Sequence, residues 1–230
     1  MDIVFSKEIK KHKENNCPIL ALESTILAQG MPYPENYVFA KKSEKICRKK
    51  GVAPATIAVL DGKIHVGLSP MELKRVCQSG NILKLSKRDL PFAVSKRQSG
   101  ATTVSATVWI AYKAGIFVFS TGGIGGVHRM LESNLDISQD LVSLSETPVI
   151  TVSSGAKSIL DLPKTVETLE ALSIPVVGYK TKFFPAFYTR SSGIKIQNTI
   201  KTAKQASLLF LDHLKVGLKS SLLIVNPISK

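Results

Sequence analysis

The chain has 230 residues, 44% hydrophobic side chains and a formal net charge of +14. This length and apolar content predict a single domain over residues 1–230 with one sizeable core. No apolar run is long enough to span a membrane, and the lysine-rich N-terminus lacks the apolar centre of a secretion signal. We therefore expect a cytoplasmic protein without a membrane partner.

The large positive charge admits nucleic acid or phosphorylated small molecules as partners. The lysines are scattered along the chain and are not interleaved with aromatic residues, as they are in RNA-binding surfaces. Nucleic-acid binding is therefore the less favoured alternative. The three cysteines, Cys17, Cys47 and Cys77, form no CxxC pair, so we expect reduced thiols and infer neither a disulfide nor a zinc site.

In the first half of the chain, apolar runs of strand length alternate with helical patterns. The clearest short helix begins after Ser69 and ends at Gly80, with Pro70 in its first turn. Asp61-Gly62 is typical of a hairpin turn. The predicted elements are an amphipathic N-terminal helix, a strand at 18–24, a helix at 34–50, a hairpin at 55–69, a helix at 69–80, a strand at 81–86 and a tightly packed helix at 99–115.

The second half continues the alternation. It predicts buried strands at 115–123 and 147–154, a helix at 165–173 and a strand at 174–181. This order is typical of an α/β fold, here a layered α-β-α domain with a central, mostly parallel sheet. In such sheets the ligand site lies at the carboxyl ends of the strands.

Polar or glycine residues lie at the ends of four of these strands. They are Glu23 in the strand at 18–24, Lys84 in the strand at 81–86, the glycine-rich run that begins at the end of 115–123, and Lys157 after 147–154. A lysine taken out of water is more readily neutral, and a neutral amine can attack a carbonyl carbon. The alternative for Lys157 is a solvated lysine at the start of a helix. An acid, two amines and a glycine-rich loop together predict one site at the strand ends.

The glycine-rich run, TGGIGGVHR at 121–129, does not match a dinucleotide-binding GxGxxG. Its backbone N–H groups could bind a phosphate, although a tight turn that needs glycine is an equal alternative. On its own, His128 is more typical of a packing residue than of a catalyst.

The run LDISQDL contains Asp136 and Asp140 on either side of Ser138. Oxygen ligands at this spacing suit a hard divalent cation that keeps most of its waters, and a helical turn could bring both carboxylates to one side. The alternative is that Asp136 or Ser138 caps a helix.

Taken together, these motifs resemble the pseudouridine-5′-phosphate glycosidase family. The resemblance runs in family order from about residue 18 to the end of the chain and is carried by ALESTILAQGMPYPEN, PATIAVLDGKIHVGLS, LKLSKRDLP, GATTVSATVWIAYKAGIFVFSTGGIGGVHR, LDISQDL, VSSGAKSILDLPKTVETLEAL and FPAFYTRSSG.

The resemblance implies the reversible cleavage of pseudouridine 5′-phosphate by water to uracil and ribose 5-phosphate, a divalent metal, typically Mn²⁺, and a homotrimer. It also implies a role for each matching residue: Glu23 as proton donor, Lys157 as Schiff-base nucleophile, Asp136 as metal ligand, and Lys84, Val104, Ser138, Gln139 and Asp140 as substrate contacts.

The chain departs from the family pattern at three places. Gln29 stands where the family usually has histidine, and KTKFFPAF is more basic than its counterpart. The chain also ends at LLIVNPISK, where family members continue with a further segment that contributes to the site. The alternative expectation is therefore a truncated, weakly active or inactive homologue with a binding or regulatory role.

Overall fold

Strands and helices alternate along the computed structural model, which describes residues 2–78, 80–129 and 136–229. Its contacts group into two compact units, Met1–Val118 and Phe119–Lys230. Most pairings between the described strands are parallel, and the predicted α/β class is confirmed. A single domain over residues 1–230 stays a prediction.

The N-terminal unit holds a mixed sheet and five α-helices among its described residues. In chain order its elements are β1 (Ile3–Phe5), α1 (Lys7–Glu14), β2 (Ile19–Leu22), a π-helical turn (Ile26–Gly30), α2 (Glu35–Lys49), β3 (Ala53–Leu60), β4 (Lys63–Val66), α3 (Pro70–Gln78), β5 (Leu83–Leu85), a 3₁₀ turn (Lys87–Asp89), α4 (Leu90–Ser95), β6 (Gly100–Thr102) and α5 (Val104–Lys113).

Strand β3 is the centre of this unit, and all of its residues are buried. Strand β4 lies antiparallel along one edge and returns through Asp61 and Gly62, which have φ angles of 49° and 76°. Positive φ at both central residues is the requirement of a type I′ turn, so the predicted hairpin is confirmed. The buried residues of one core cluster come from β3, the π-helical turn, α2, α3 and Leu68, which lies between β4 and α3.

Of two helices predicted for this unit, one is confirmed and the other is wrong. The helix after Ser69 is confirmed, because the Ser69 hydroxyl accepts from the Glu72 backbone N–H while the Glu72 carboxylate accepts from the Ser69 N–H. The single helix predicted at 99–115 is wrong, since its first residues form β6 and the helix α5 begins only at Val104. Small residues such as Gly100 and Ala101 fit a buried strand as well as a helix, and pairing with β3 and β5 decides between them.

The C-terminal unit is built on parallel strands. Its elements are β7 (Val118–Ser120), β8 (Val127–His128), α6 (Gln139–Glu146), β9 (Ile150–Ser153), β10 (Leu160–Asp161), α7 (Leu162–Ala171), β11 (Val176–Tyr179), β12 (Asn198–Ile200), α8 (Ala203–Lys215) and β13 (Leu222–Val225).

Strands β9, β13, β11 and β12 pair in that order, all parallel, while β8 and β10 form a separate antiparallel pair. Helix α8 packs Ala206 and Phe210 against Val177, Leu222 and Ile224 of this sheet. Across the described part of the chain, none of the helices combines the length and apolar content needed to cross a membrane.

Candidate functional site

In the N-terminal unit, two strands end at the same point on β3. Strand β2 runs parallel to the first half of β3, and β6 runs antiparallel to Ala58 and Val59. Both strands therefore run toward Ile57, β2 from one end of β3 and β6 from the other. Glu23 is the first residue after β2, and its side chain is half-buried.

The backbone at this meeting point is held by hydroxyl groups. The carbonyl of Ile57 accepts from Ser24 Oγ at 2.6 Å and from Thr102 Oγ1 at 2.7 Å. The Thr102 N–H donates to Ser24 Oγ at 2.9 Å, and Thr107 Oγ1 donates to Thr102 Oγ1 at 2.9 Å. All three hydroxyl residues have 0% exposure. The Ile57 carbonyl therefore accepts two hydrogen bonds from side-chain hydroxyls at the point where the partner of β3 changes from β2 to β6.

The other two predicted residues of this unit lie beside the same strand end. Lys84 is exposed and pairs with Ala101, one residue before Thr102. Val104 is the first residue of α5 and is buried at 1% exposure. The N-terminal unit therefore places Glu23, Lys84 and Val104 around the end of β6.

In the C-terminal unit, Lys157 follows β9 through a short irregular segment. Its backbone N–H donates to the Ile124 carbonyl at 3.1 Å, and its own carbonyl accepts from the Leu160 N–H. The guanidinium of Arg129 donates to the Ser158 carbonyl at 3.1 Å. Lys157 is half-buried and is followed by a turn into β10, so it does not stand at the start of a helix as the alternative interpretation expected.

The same segment needs glycine at position 155. Gly155 has a φ of +81°, and a Cβ there would collide with the Pro185 carbonyl oxygen. The loop that contains Pro185 also brings Phe187 against Gly123. Sequence reasoning did not find these two contacts, although the aromatic run FPAFYTR at 184–190 is a signal of a packed loop.

The glycine-rich segment at 122–126 is held on both sides. On one side Ile124 bonds to Gly155 and Lys157 through its N–H and carbonyl. On the other, Gly125 N–H donates to Asp140 Oδ2 at 2.8 Å. Its glycines have no positive φ, so they are required for close approach and not for a tight turn. A Cβ on Gly125 would meet Ser138 and Asp140, and one on Gly126 would meet Thr165.

Helix α6 begins beside this segment. Ser138 is its N-cap and accepts from the Asp140 N–H, Gln139 is its first residue, and Asp140 is buried at 6% exposure. The alternative that Ser138 caps a helix is therefore confirmed. In the C-terminal unit, Lys157 thus lies on one side of the glycine-rich segment, and Ser138 and Asp140 lie on the other.

Asp136 does not lie on a helical turn with Asp140, so this prediction is wrong. Residue Asp136 precedes the helix, and its carbonyl accepts from the His128 N–H while Ile137 bridges to Val127. Pairing with β8 holds this stretch extended. The Asp136 carboxylate is exposed and lies 3.7 Å from His128 Nδ1.

The chain resembles known proteins over nearly its whole length. Residues 8–230 match the family model described as Indigoidine synthase A like protein. A protein named pseudouridine-5′-phosphate glycosidase from Caldanaerobacter subterraneus subsp. tengcongensis is 50% identical over 226 residues, 98% of this chain and 74% of that protein. A protein of the same name from Staphylococcus aureus is 47% identical with the same coverage of both chains.

Two crystal structures have the same fold. An indigoidine synthase A-like protein from Thermotoga maritima superposes with a TM-score of 0.91 at 34% identity. The prealnumycin C-glycosynthase AlnA in complex with ribulose 5-phosphate superposes with a TM-score of 0.92 at 37% identity. In both cases the match covers 99% of this chain and 74% of the other.

Proposed function

The chain belongs to the indigoidine synthase A-like family of pseudouridine-5′-phosphate glycosidases, and from this premise we propose that it reversibly cleaves pseudouridine 5′-phosphate to uracil and ribose 5-phosphate. The observation that carries the proposal is the 50% identity, over 98% of the chain, to a protein of that name. The similarity to a C-glycosynthase in complex with a pentose phosphate supports the same class of bond and of sugar.

The bond to be broken joins ribose to uracil through carbon. Ordinary glycoside hydrolysis protonates a leaving oxygen, which this substrate lacks. In the proposed route, Glu23 protonates the ring oxygen while Lys157 Nζ attacks C1′. Ring opening breaks the bond between C1′ and the ring oxygen, and proton loss from nitrogen leaves a neutral secondary amine that joins Lys157 to C1′, which still carries the uracil.

The lone pair of this nitrogen then forms the iminium bond to C1′ as the carbon–carbon bond breaks, and the electron pair of the broken bond passes to the uracil ring. The carbon of the uracil ring takes a proton as the base leaves. Water then adds to the imine carbon, and the amine of Lys157 departs from ribose 5-phosphate. One water is consumed in each turnover, as the overall reaction requires.

The anchoring of Lys157 supports its role as the nucleophile. Hydrogen bonds from its backbone to Ile124 and Leu160 fix the start of the side chain, and Arg129 fixes the carbonyl that follows. A nucleophile held in one position loses little entropy in reaching its attack geometry.

We further propose that the glycine-rich segment and its neighbours bind the substrate. Asp140 holds the Gly125 N–H, so its carboxylate orders this segment in addition to any contact with the sugar. The exposed ammonium of Lys84 is suited to a phosphate oxygen. The proposed substrate contacts are Lys84, Val104, Ser138, Gln139 and Asp140.

Asp136 is the proposed ligand of a divalent cation, Mn²⁺. Within the described ranges there is no group of three or more His, Cys, Asp or Glu side chains that could enclose a metal. A cation that keeps most of its waters needs only one or two protein oxygens, and the exposed Asp136 carboxylate fits that mode. Such an ion would supply positive charge for orienting phosphate and hydroxyl groups.

The homotrimer implied by the resemblance is likewise a proposal. A trimer of this 25.0 kDa chain would have three times that mass in light scattering. A monomeric mass at the concentrations used for the activity measurement would contradict it.

The activity is tested by incubating the chain with pseudouridine 5′-phosphate and Mn²⁺, then measuring free uracil and ribose 5-phosphate. We expect equal amounts of both, none with the Lys157→Met variant, and a lower rate after chelation. Binding of pseudouridine 5′-phosphate without release of uracil would contradict the proposal and support an inactive homologue. An unchanged rate in a chain shown to be metal-free would contradict the role of Asp136.

A further inference from the structure

The carbonyl of Ile57 marks the place where two strands stop on the same edge of β3. The Thr56 carbonyl, one residue earlier, accepts from the Gly67 N–H that follows β4. Successive carbonyls of a strand point to opposite edges, so the Ile57 carbonyl points to the edge shared by β2 and β6. At this edge the hydroxyls of Ser24 and Thr102 both donate to the Ile57 carbonyl.

Both hydroxyls bond on two sides, and that of Ser24 links β3 to β6. Ser24 Oγ donates to the Ile57 carbonyl at 2.6 Å and accepts from the Thr102 N–H at 2.9 Å. The Ser24 N–H donates to the Thr102 carbonyl at 3.3 Å. With 0% exposure, this residue fixes the backbone immediately after Glu23 to both β3 and β6.

We propose that Ser24 is a positioning residue that fixes the carboxyl group of Glu23 for proton transfer. The inference rests on the proposed function, because it assumes that Glu23 protonates the ring oxygen. Proton transfer requires the carboxyl group within hydrogen-bond reach of its target. If the backbone at residue 24 were free to move, the carboxyl group of Glu23 would move away from that position.

Ser24→Ala removes this clamp while leaving the Ile57 carbonyl bonded to Thr102 Oγ1. We expect kcat for uracil release to fall by about 10- to 100-fold, the loss associated with a displacement of about 1 Å. KM should be nearly unchanged, because the lost interaction acts in the transition state and not on bound substrate.

The chain offers a matched control in the other unit. Ser221 is also 0% exposed, and its hydroxyl donates to the Thr147 carbonyl at 2.7 Å. Ser221→Ala therefore removes the same type of buried bond at a residue with no proposed catalytic role. We expect it to lower the melting temperature less than Ser24→Ala, which also leaves the buried Thr102 N–H without its acceptor, and to leave kcat within about twofold, as for a mutation that acts only on folding.

A second readout separates positioning from general damage to the site. Glycolaldehyde phosphate is too short to close a sugar ring, so its aldehyde needs no ring-opening proton. Lys157 Nζ can attack this aldehyde, water leaves, and added borohydride transfers hydride to the imine carbon to give a stable secondary amine. We expect Ser24→Ala to form this adduct at the wild-type rate while its adduct with ribose 5-phosphate forms more slowly.

The positioning role is contradicted if Ser24→Ala folds and keeps kcat within about twofold of wild type, as Ser221→Ala should, or if Ser24→Ala slows both adducts equally. If Ser24→Ala does not fold, Ser24→Cys, whose thiol is a weaker donor, is measured in the same way.

If the wild-type chain releases no uracil, the proposed function fails separately. The Ser24 inference is then judged from the ¹³C carboxyl resonance of Glu23, assigned with Glu23→Gln, which should move in Ser24→Ala and not in Ser221→Ala.

Discussion

At the scale of single residues, the two proposed catalytic groups differ in how the chain holds them. Glu23 directly follows the last residue of β2 and precedes a fully buried serine. Lys157 stands four residues beyond β9, in an irregular segment held by backbone hydrogen bonds. The acid is thus fixed by strand pairing and the amine by a loop, so substitutions near them should have different effects.

We predict that Glu23→Gln lowers turnover of pseudouridine 5′-phosphate by about 10²–10⁴-fold, the contribution of a general acid–base group. Substrate binding should be nearly unchanged, since glutamine keeps the size of the side chain. The control is Glu35→Gln, at an exposed position in the first turn of α2. Normal turnover together with a stability loss of about 1 kcal/mol would instead indicate that Glu23 only caps local backbone groups.

At the scale of elements, the glycine-rich segment depends on close approach to α6. Gly125→Ala would place a Cβ against Ser138 and Asp140 and break the Gly125 N–H bond to Asp140. We predict a loss of about 1–3 kcal/mol in the free energy of unfolding, measured with urea, as for an overpacked core. Gly80→Ala is the control, because a Cβ there meets nothing within 4 Å among the described residues. Equal stability of the two variants would contradict the close approach.

A second element-scale feature joins α1, α2 and β3. Arg48 contacts Glu8 at 2.8 Å and Glu44 at 3.1 Å, and Thr56 donates to Glu44 at 3.0 Å. Burial raises the pKa of the Glu44 carboxyl, although Arg48 opposes the shift, whereas the hydrogen bond from Arg48 lowers the pKa of Glu8.

These two shifts predict opposite pH dependences. The folded chain binds the Glu44 proton more tightly than the unfolded chain does. The contribution of Glu44 to the free energy of unfolding therefore falls as the pH rises above the ordinary glutamate value of about 4.3. Glu8 contributes stability above that value, which is lost as the pH falls toward its lower folded pKa. In urea unfolding curves, the stability of Glu44→Gln relative to wild type should therefore rise from acidic to neutral pH. The stability of Glu8→Gln relative to wild type should fall over the same range. The same sign for both variants would contradict the assignment.

The elements also show what the sequence could predict. Local signals were sufficient for the hairpin at Asp61-Gly62 and for the capped helix after Ser69, because turn and cap geometry depend on neighbouring residues. They were insufficient for β6, whose small residues become a strand only through pairing with β3 and β5. The extended conformation at Asp136 likewise depends on pairing with β8, a partner that spacing alone does not reveal.

At the scale of the whole molecule, the family was identified by motifs that extend over most of the chain, and matches over 98% of its length confirm it. Of the residues for which the strand-end rule predicted one site, Glu23 and Lys84 lie near the end of β6 in the N-terminal unit, and Lys157 follows β9 in the C-terminal unit. The hydroxyl groups around Ile57 and the packing of Phe187 against Gly123 could not be predicted, because they join residues far apart in the sequence.

The most direct test of the central claim, cleavage through a lysine imine, is the mass of the chain after borohydride treatment with ribose 5-phosphate. The wild-type chain should gain one reduced sugar, and peptide mapping should locate it on Lys157. Lys157→Arg should gain none, because arginine keeps the charge but does not deprotonate to a nucleophile. The control Lys164→Arg, in the same unit, should be labelled as wild type is. Labelling of a different lysine, or of Lys157→Arg, would contradict the account.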